Sequence, residues 1–392
     1  MKRITIGLFN DSFYPKSDGV LVVVDNYARR LSKYANVIVF VPEFKKKYDD
    51  SKFPYKVVRC KSFQVGAIDY PLPIPDLDKH FKKILNDYHL DIVHIHSPFT
   101  MGTLGIRYAK KHNVPCIGTM HTQFKLDINK YAHSKIVTSL VNNKLIKNFE
   151  KCDECWAVNK EVARIYHEEY GYSKMPKVMG NATEMLPVDK KEAYKILNEK
   201  YGLTDDVKVF LFVGRINTLK NILFIVESLA KVKEKDKELK FKMLFLGEGP
   251  DEDKLINHIK KYNLEDDTII CGKVTDRHLL SCYYRRASLF LFPSVYDASS
   301  LVQIEAASQE TPTIFIKGAA TASTVTDNVN GFLSDYTVEA YSDKIIEVMK
   351  DKDSYKKVSE NAFKDLYVTW DDKVKEVYDL YLKIIEERKS NN

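Results

Sequence analysis

Long apolar runs are missing from this sequence, and their absence limits where the protein can reside. No stretch of the 392 residues reaches the roughly 18 consecutive apolar residues that a bilayer-spanning helix needs. The N-terminus begins with basic residues and an apolar run, but that run is too short for a signal peptide and is broken at Asn10 and Asp11. The sequence therefore predicts a cytoplasmic protein without a spanning helix.

Cysteine is scarce as well. Six cysteines in a chain of this length do not form the dense disulfide framework of a small secreted domain. Cys152 and Cys155 have the spacing of a metal-binding pair, but no second pair or histidine partner has matching spacing. We interpret them as two small, half-buried residues at a junction between a helix and a strand.

Charge of one sign is only mildly in excess. The formal net charge is +7, the lysines are spread along the chain and no nucleic-acid-binding motif is present, so we expect no nucleic-acid partner. This balance suits an anionic substrate, an anionic membrane surface or simple solubility. With 44% hydrophobic and 29% charged residues the chain is globular, and its length predicts two or three domains.

Strand and helix signals alternate from end to end, which predicts an α/β fold built on parallel sheets. A first series of strand signals covers residues 4–9, 37–41, 91–96, 114–119, 154–158 and 177–179. Helical signals between them cover residues 19–34, 76–88, 103–112 and 130–149. We predict that this half of the chain forms one doubly wound domain.

A second alternating series follows residues 181–190, which show no clear period and contain Pro187. Its strand signals cover residues 207–213, 241–246, 268–271, 288–292, 311–316 and 331–333. Its helical signals cover residues 219–232, 253–261, 276–285, 338–349 and 371–386, with another helix after Ser300. The predicted domains are residues 1–183 and 184–370, each Rossmann-like and doubly wound, with a terminal helix at 371–392 that packs back on the first.

Two such domains imply a cleft between them, with ligands at the carboxyl ends of the strands. One candidate stretch follows the predicted strand 288–292, where a polar loop leads to a helix capped by Ser300, with Gln303 placed for a capping box. The unpaired N–H groups at the start of that helix suit a phosphate, and Asp297 and Glu305 flank it. A plain surface loop and helix would show the same residue types.

Cations follow another predicted strand, at residues 207–213. Gly214 lets the backbone pass close to a ligand. Arg215 and Lys220 can both reach one diphosphate, the arginine through paired N–H groups and the lysine as a point charge. A solvated loop also carries such pairs, so the residue types alone leave both interpretations open.

The spacing of Asp297 and Glu305 resembles the E-x7-E signature of retaining glycosyltransferases of family 4, which have the GT-B fold. The resemblance implies that Glu305 holds the donor ribose and that Asp297, a methylene shorter than the family's Glu, sits beside the donor sugar. Residues 213–215 with Lys220 resemble the family's VGR and following Lys. This implies that Arg215 and Lys220 bind the donor diphosphate and stabilise the leaving phosphate.

The same resemblance implies further contacts to the donor. Residues 247–250 are similar to the family's GxGP turn on the nucleotide side, and residues 273–274 stand where the family's backbone meets the nucleobase. Asp18 and Gly19 begin a segment similar to the family's Gly-Gly-Val helix start, which implies phosphate binding. The donor-binding residues implied in this way are Gly19, Gly214, Glu248, Lys273, Val274, Ser299, Ser300, Leu301, Val302 and Glu305.

Histidines follow two predicted strands of the first domain. His121 stands where the family has a His-Thr pair, which implies a positioning or hydrogen-bonding role near the sugar and the acceptor; a buried structural histidine is the alternative. His94 and His96 point to one side of a strand, and metal binding would need a third ligand that we do not find. His96, at the strand end, is the better candidate to face the cleft. The catalytic residues implied are His121, Arg215, Lys220 and Asp297.

The resemblance implies a retaining hexosyltransferase that uses a nucleotide-diphosphate sugar, UDP-linked before GDP-linked, and no metal or other cofactor. The acceptor is a lipid, a lipid-linked sugar or a glycan, so glycolipid and polysaccharide assembly both fit. The lysine-bearing helix at 130–149 suits an anionic membrane surface and a peripheral position on the inner face of the membrane; a core-packing helix with solvated lysines is the alternative. A non-catalytic nucleotide-sugar-binding scaffold and a GT-B sugar-nucleotide epimerase are further alternatives.

Overall fold

Parallel sheets form the centre of each half of the chain. The computed structural model describes residues 3–16, 18–64, 71–125, 128 and 134–390. The chain divides into two compact units, one of Ala182–Thr369 and one that combines Met1–Asn181 with Trp370–Asn392. The predicted α/β class with two Rossmann-like sheets is confirmed.

The sheet of the first unit is parallel throughout. Its strands are β1 (Thr5–Phe9), β2 (Asn36–Pro42), β3 (Lys56–Cys60), β6 (Ile92–Ile95), β7 (Cys116–Met120), β8 (Glu154–Ala157) and β9 (Lys177–Val178). They lie in the order β3-β2-β1-β6-β7-β8-β9. β4 (Ser62–Phe63) and β5 (Leu72–Pro73) form a separate antiparallel pair. The residues of β6 and β7 are all buried, as expected for parallel strands covered on both faces.

The helices of this unit follow its strands. They are α1 (Gly19–Leu31), α2 (Lys79–Asp87), α3 (Thr100–His112), α4 (Lys135–Phe149) and α5 (Lys160–Arg164). α3 ends at Asn113, whose φ of +54° is the left-handed conformation that commonly closes a helix. Residues 130–133 of the predicted helix 130–149 lie outside the described residues, and α4 begins at Lys135.

The second unit repeats the same architecture. Its strands are β10 (Lys208–Val213), β11 (Phe241–Leu246), β12 (Thr268–Gly272), β13 (Leu289–Phe292), β14 (Thr313–Ile316) and β15 (Phe332–Ser334). They are parallel and lie in the order β12-β11-β10-β13-β14-β15. Its helices are α6 (Lys190–Tyr201), α7 (Ile222–Lys235), α8 (Glu252–Lys261), α9 (Arg277–Arg286), α10 (Leu301–Ser308), α11 (Val338–Lys350) and α12 (Lys352–Leu366).

The last helix, α13 (Trp370–Ser390), belongs to the first unit. Trp370 is 2% exposed, and its ring lies 5.7 Å from that of Tyr27 in α1. The carboxylate of Asp371 pairs with Lys33 at 2.6 Å and with Arg30 at 3.2 Å. An aromatic contact and two ion pairs therefore attach α13 to α1. Neither α13 nor any other helix within the described ranges has the length and apolar character needed to cross a membrane.

Candidate active site

The order of strands in the second sheet reverses between β10 and β13. From β10 the chain adds β11 and β12 on one side, and from β13 it adds β14 and β15 on the other. In open α/β sheets, ligands bind beyond the carboxyl ends of the strands at such a switch point. The loops that leave β10, β11, β12 and β13 at this edge carry the predicted residues Gly214, Glu248, Lys273 and Asp297. Parallel strand order therefore brings four separate predicted segments to one edge.

Two of these loops touch through their backbones. Gly247 has a φ of +136°, and a Cβ atom at this position would lie 1.8 Å from the carbonyl oxygen of Gly214. A Cβ atom on Gly249 would lie 2.1 Å from the carbonyl oxygen of Ile216. The Ile216 N–H donates to the carbonyl of Glu248 at 3.1 Å. The glycines are required here because only a residue without a side chain permits this approach.

A lysine and a carboxylate meet between the loops after β10 and β13. Lys220 ends a short 3-10 turn, Thr218–Lys220, and its Nζ donates to Oδ1 of Asp297. The two side chains are 20% and 18% exposed, so the ion pair is half-buried. Asn221 Nδ2 donates to the carbonyl of Pro293 at 2.7 Å and ties the two loops together. The structure thus unites two of the residues predicted to be catalytic.

The remaining predicted residues on these loops take varied positions. Arg215 is exposed on the loop after β10, and Lys273 is exposed after β12. Val274 is partly buried and packs against the core of the unit. Glu248 has an exposed side chain, and its backbone carbonyl accepts the hydrogen bond from the Ile216 N–H. The donor-binding roles predicted for these residues stay predictions.

The start of α10 has the predicted cap. Ser300 Oγ accepts a hydrogen bond from the N–H of Gln303 at 3.2 Å, which satisfies one of the unpaired donors of the first turn. The Gln303 side chain does not complete the capping box; its Nε2 donates instead to Thr324 Oγ1 at 3.0 Å. Leu301 and Val302 are partly buried in the first turn, directly after Ser299 and Ser300. This first turn follows the loop after β13, and the donor-binding roles predicted for Ser299, Ser300, Leu301 and Val302 stay predictions.

Glu305 is held by two side chains that the sequence interpretation missed. Tyr284 Oη donates to Glu305 Oε2 at 3.0 Å, and Arg277 Nη1 donates to Oε1 at 3.3 Å. Arg277 also pairs with Glu184 at 2.8 Å. Burial raises the pKa of Glu305, while Arg277 and the Tyr284 hydroxyl act to lower it. Both partners lie on α9, and no motif in that helix marks them as partners of a residue on α10.

In the first unit, Gly19 is the first residue of α1. Asp18 caps this helix, because its Oδ1 accepts from Leu21 N at 2.8 Å and its Oδ2 accepts from Ser12 Oγ at 2.7 Å. A carboxylate therefore lies at the helix start where the sequence analysis placed a phosphate. Among the described residues, and apart from its chain neighbours and its own helix, no heavy atom would lie within 4 Å of a Cβ atom at Gly19. The phosphate contact of Gly19 stays a prediction.

His121 lies directly after β7 and is half-buried. Its Nε2 is 3.0 Å from Nδ1 of His96, and the two rings are stacked with centroids 5.2 Å apart. His96 directly follows β6 and is 1% exposed, and its ring contacts His121, so the prediction that His96 is the better candidate to face the cleft is wrong. His94 is fully buried and bonds to Tyr381 and Thr119.

Metal-binding clusters are not found in the part of the chain that the structure describes, where no three His, Cys, Asp or Glu side chains are arranged to hold an ion. Cys152 and Cys155 are buried rather than half-buried, at 6% and 3% exposed. Hydrogen bonding to Cys116 and Cys155, together with burial, raises the pKa of the Cys152 thiol. The protonated thiol is a poor metal ligand and a poor nucleophile.

Two family models match this chain. The model described as Glycosyltransferase Family 4 matches residues 17–182. The model described as Glycosyl transferases group 1 matches residues 194–365. Between them the two models account for most of both structural units.

Curated relatives are similar over most of the chain. The chain is 26% identical over 407 aligned residues to an alpha-monoglucosyldiacylglycerol synthase from Acholeplasma laidlawii. This alignment covers 97% of this chain and 97% of that protein. The chain is 27% identical over 318 aligned residues to the protein of the same name from Streptococcus pneumoniae. This alignment covers 79% of this chain and 70% of that protein.

Solved structures share the architecture. Sucrose-phosphate synthase from Thermosynechococcus elongatus aligns with a TM-score of 0.78 at 19% identity, over 98% of this chain and 100% of that one. HepE from Anabaena, crystallised with UDP and glucose, aligns with a TM-score of 0.73 at 16% identity, over 96% of this chain and 100% of that one. At such identities the likeness shows the fold alone.

Proposed function

Because this chain belongs to glycosyltransferase family 4 and has the GT-B fold, we propose that it is a retaining enzyme that transfers a hexose from a nucleoside-diphosphate sugar to a diacylglycerol-type lipid. The donor that we propose is UDP-glucose, ahead of a GDP-linked sugar. The second unit binds the donor and the first unit binds the acceptor. A non-catalytic scaffold and an epimerase are not favoured, since the curated relatives are named as synthases.

The observation that carries this proposal is the contact between Lys220 and Asp297 beside the start of α10. A diphosphate bound by the Lys220 ammonium and by the amides of the first turn of α10 would lie next to a carboxylate. That carboxylate can accept hydrogen bonds from sugar hydroxyls. One edge of one sheet therefore offers partners for both parts of a sugar nucleotide.

The proposed chemistry follows from the charges at this edge. The acceptor oxygen attacks the anomeric carbon from the face that the diphosphate leaves, and the bond from that carbon to the phosphate oxygen breaks. Negative charge grows on the departing diphosphate, where Lys220 and Arg215 stabilise it. The departing phosphate oxygen takes the acceptor proton, so no separate base is needed. The two cations supply charge that a metal ion would otherwise supply, and we propose that the reaction is metal-independent.

Glu305 is proposed to hold the donor ribose. A carboxylate has about four lone-pair positions for hydrogen bonds. The Tyr284 hydroxyl and the Arg277 guanidinium each use one oxygen of Glu305 and leave positions on both oxygens available. Two neighbouring ribose hydroxyls can donate to those positions, while Tyr284 keeps the carboxylate in place.

The acceptor proposal rests on the relatives and on one surface of the first unit. Two relatives are named alpha-monoglucosyldiacylglycerol synthases, which supports a diacylglycerol acceptor. On α4, the side chains of Ile136, Val137 and Leu140 are 74%, 45% and 65% exposed. Lys144 and Lys147 are exposed further along the same helix. We infer that this face contacts anionic lipid and places the enzyme at the inner face of the membrane.

The proposal can be tested with the purified full-length chain, UDP-glucose labelled in the sugar, and phosphatidylglycerol vesicles that contain diacylglycerol, in the presence of EDTA. We expect labelled lipid whose anomeric proton shows the α configuration by NMR. A β product would exclude retention, and activity that disappears with EDTA would exclude metal independence. An altered sugar nucleotide without transfer would favour an epimerase, and binding without turnover would favour a scaffold. Thermal shifts with UDP and GDP distinguish the two donors.

A further inference from the structure

Three histidines of the first unit form two hydrogen-bonded groups side by side. The rings of His94 and His96 are stacked with centroids 4.1 Å apart. His94 uses both of its nitrogens, since Nδ1 is 2.5 Å from Tyr381 Oη and Nε2 is 2.6 Å from Thr119 Oγ1. His96 uses Nδ1, at 3.0 Å from His121 Nε2. Of these residues, His96 is therefore the one that is hydrogen-bonded to His121.

All three rings are neutral near pH 7. Burial lowers the pKa of His121 to about 3, and burial also lowers the pKa of His94 and of His96 well below its ordinary value. A neutral imidazole has one N–H donor and one acceptor nitrogen. The bond between His96 and His121 therefore contains one proton, which belongs either to His96 Nδ1 or to His121 Nε2.

The other nitrogen of His96 decides between these two arrangements. His96 Nε2 is buried and has no hydrogen-bond partner within the described ranges. If His121 donated to His96, that Nε2 would have to carry a buried N–H without an acceptor. If His96 donates to His121, the same nitrogen is an acceptor without a donor. Buried N–H groups without partners are rarer than acceptors without partners, so donation from His96 Nδ1 is preferred.

We propose that His96 is a positioning residue that fixes His121 as the Nδ1–H tautomer, so that His121 donates a hydrogen bond from Nδ1 to an oxygen atom of the bound substrate. In this arrangement His121 Nε2 is occupied by the proton of His96 Nδ1, and His121 Nδ1 already carries a proton. His121 therefore has no nitrogen available to act as a base, and its contribution is hydrogen bonding alone. The contact with substrate rests on the proposed glycosyl transfer; the tautomer does not.

The tautomer can be measured on the full-length protein labelled with ¹⁵N-histidine. The chain contains 10 histidines, and spectra of His121→Asn and His96→Asn identify the two signals of interest. We expect His121 to show a protonated Nδ1 and an unprotonated Nε2, and His96 to show a protonated Nδ1. A protonated Nε2 on His121 would overturn the inference whether or not the enzyme transfers glucose.

Substitutions at position 96 test the functional part. The amide of an asparagine lies close to the position of Nδ1 in a histidine and can still donate, while the amide of a glutamine lies near Nε2. We expect His96→Asn to retain more kcat than His96→Gln and His96→Leu, which should each lose about tenfold with little change in the KM for the donor. In His96→Leu the His121 signals should shift towards a mixture of tautomers.

Folding of these variants is checked through the tryptophans, because Trp156 and Trp370 are both buried in the first unit. Equal kcat values for the three folded variants would contradict the positioning role. If a variant does not fold, the spectrum of the unmodified protein still decides the tautomer. If no glucose transfer is found, the proposed function fails while the tautomer result stands on its own.

Discussion

At the residue scale, Lys220 is the cation whose surroundings best match a diphosphate contact. We expect Lys220→Met to weaken UDP binding by roughly 10- to 100-fold, because a charge-assisted hydrogen bond contributes about 1.5–3 kcal/mol and the positive charge beside Asp297 would be lost. Isothermal titration calorimetry with UDP measures the change. Lys233→Met is a matched control, because Lys233 also pairs with an aspartate, Asp267, at 2.7 Å. Equal UDP affinities for the two variants would contradict the assignment of Lys220.

Tyr284 is the residue that orients Glu305. We expect Tyr284→Phe to weaken UDP binding about fivefold, because the buried Glu305 carboxylate loses a hydrogen bond that orients it and lowers its pKa. The neighbouring Tyr283→Phe is the control, because the Tyr283 hydroxyl accepts from Lys200 at 2.8 Å instead. A double-mutant cycle by calorimetry should show that Tyr284→Phe has no further effect once Glu305 is replaced by alanine. Additive losses would show that the two residues act independently.

At the scale of elements, the donor edge depends on the close contact of two loops. We expect Gly247→Ala to cost about 3 kcal/mol or more, because its Cβ would lie 1.8 Å from the Gly214 carbonyl oxygen and neither backbone can move away cheaply. Gly202→Ala is the control: its φ of +63° is also left-handed, but its Cβ would meet nothing within 4 Å, so it should cost about 1 kcal/mol. Calorimetric unfolding compares the two, and equal costs would contradict the contact.

The exposed face of α4 is the element that we expect to meet lipid. Leu140→Glu should reduce binding to phosphatidylglycerol vesicles about tenfold. The substitution replaces an apolar side chain that would be buried in the lipid by a negative charge that anionic lipid repels. Leu186→Glu is a matched control, since Leu186 is 67% exposed and Leu140 is 65% exposed. Co-sedimentation with vesicles measures the difference. Binding that survives Leu140→Glu unchanged would place the lipid contact elsewhere.

The elements show why some of the fold could be predicted and some could not. Strands such as β10 and β11 are continuous apolar runs, and these mark a buried parallel sheet. α6 was not predicted, although Asp189 caps its start and Gly202 its end, because only Ala193 and Leu197 in it are fully buried and its apolar period is weak. β3 was not predicted either, because Lys56 and Arg59 interrupt a short edge strand.

Some residues of the candidate site could be predicted from the sequence and others could not. Residues that directly follow strands could be identified, because parallel order brings the strand ends to one edge of a sheet. Tyr284 and Arg277 could not be identified, because they contact Glu305 from a different helix, α9. Contacts between two helices produce no residue spacing that can be recognised within one segment of the sequence. The pairing of His96 with His121 was accessible in principle: β6 and β7 are neighbours, and both residues lie just after their strands.

At the scale of the whole molecule, the two units differ in what they bury. The first unit holds both tryptophans of the chain and the three histidines near them; the ring of His94 lies 5.2 Å from that of Trp156. Tryptophan fluorescence therefore reports the unfolding of the unit that contains the histidines. The second unit can be followed separately through the ligand-induced change in its thermal stability.

The pH dependence of folding follows from this division. An unfolded histidine binds a proton near pH 6.5, but His121 in the folded unit does so only near pH 3, so the unfolded chain binds more protons between these values. Stability of the first unit should therefore fall as the pH drops below 6.5. His121 alone accounts for at most about 2 kcal/mol by pH 5, and His94 and His96 act in the same direction.

One carboxylate of the first unit acts with the opposite sign. Burial raises the pKa of Asp11 to about 6, so its protonation favours the folded state as the pH falls, but one such group does not offset three histidines. We expect urea midpoints from tryptophan fluorescence to be lower at pH 5 than at pH 7, and the difference to be smaller in His121→Asn. A change in midpoint between pH 7 and pH 5 that is equally large in His121→Asn would contradict a neutral His121 ring in the folded unit, and would remove the basis for a fixed tautomer at His121.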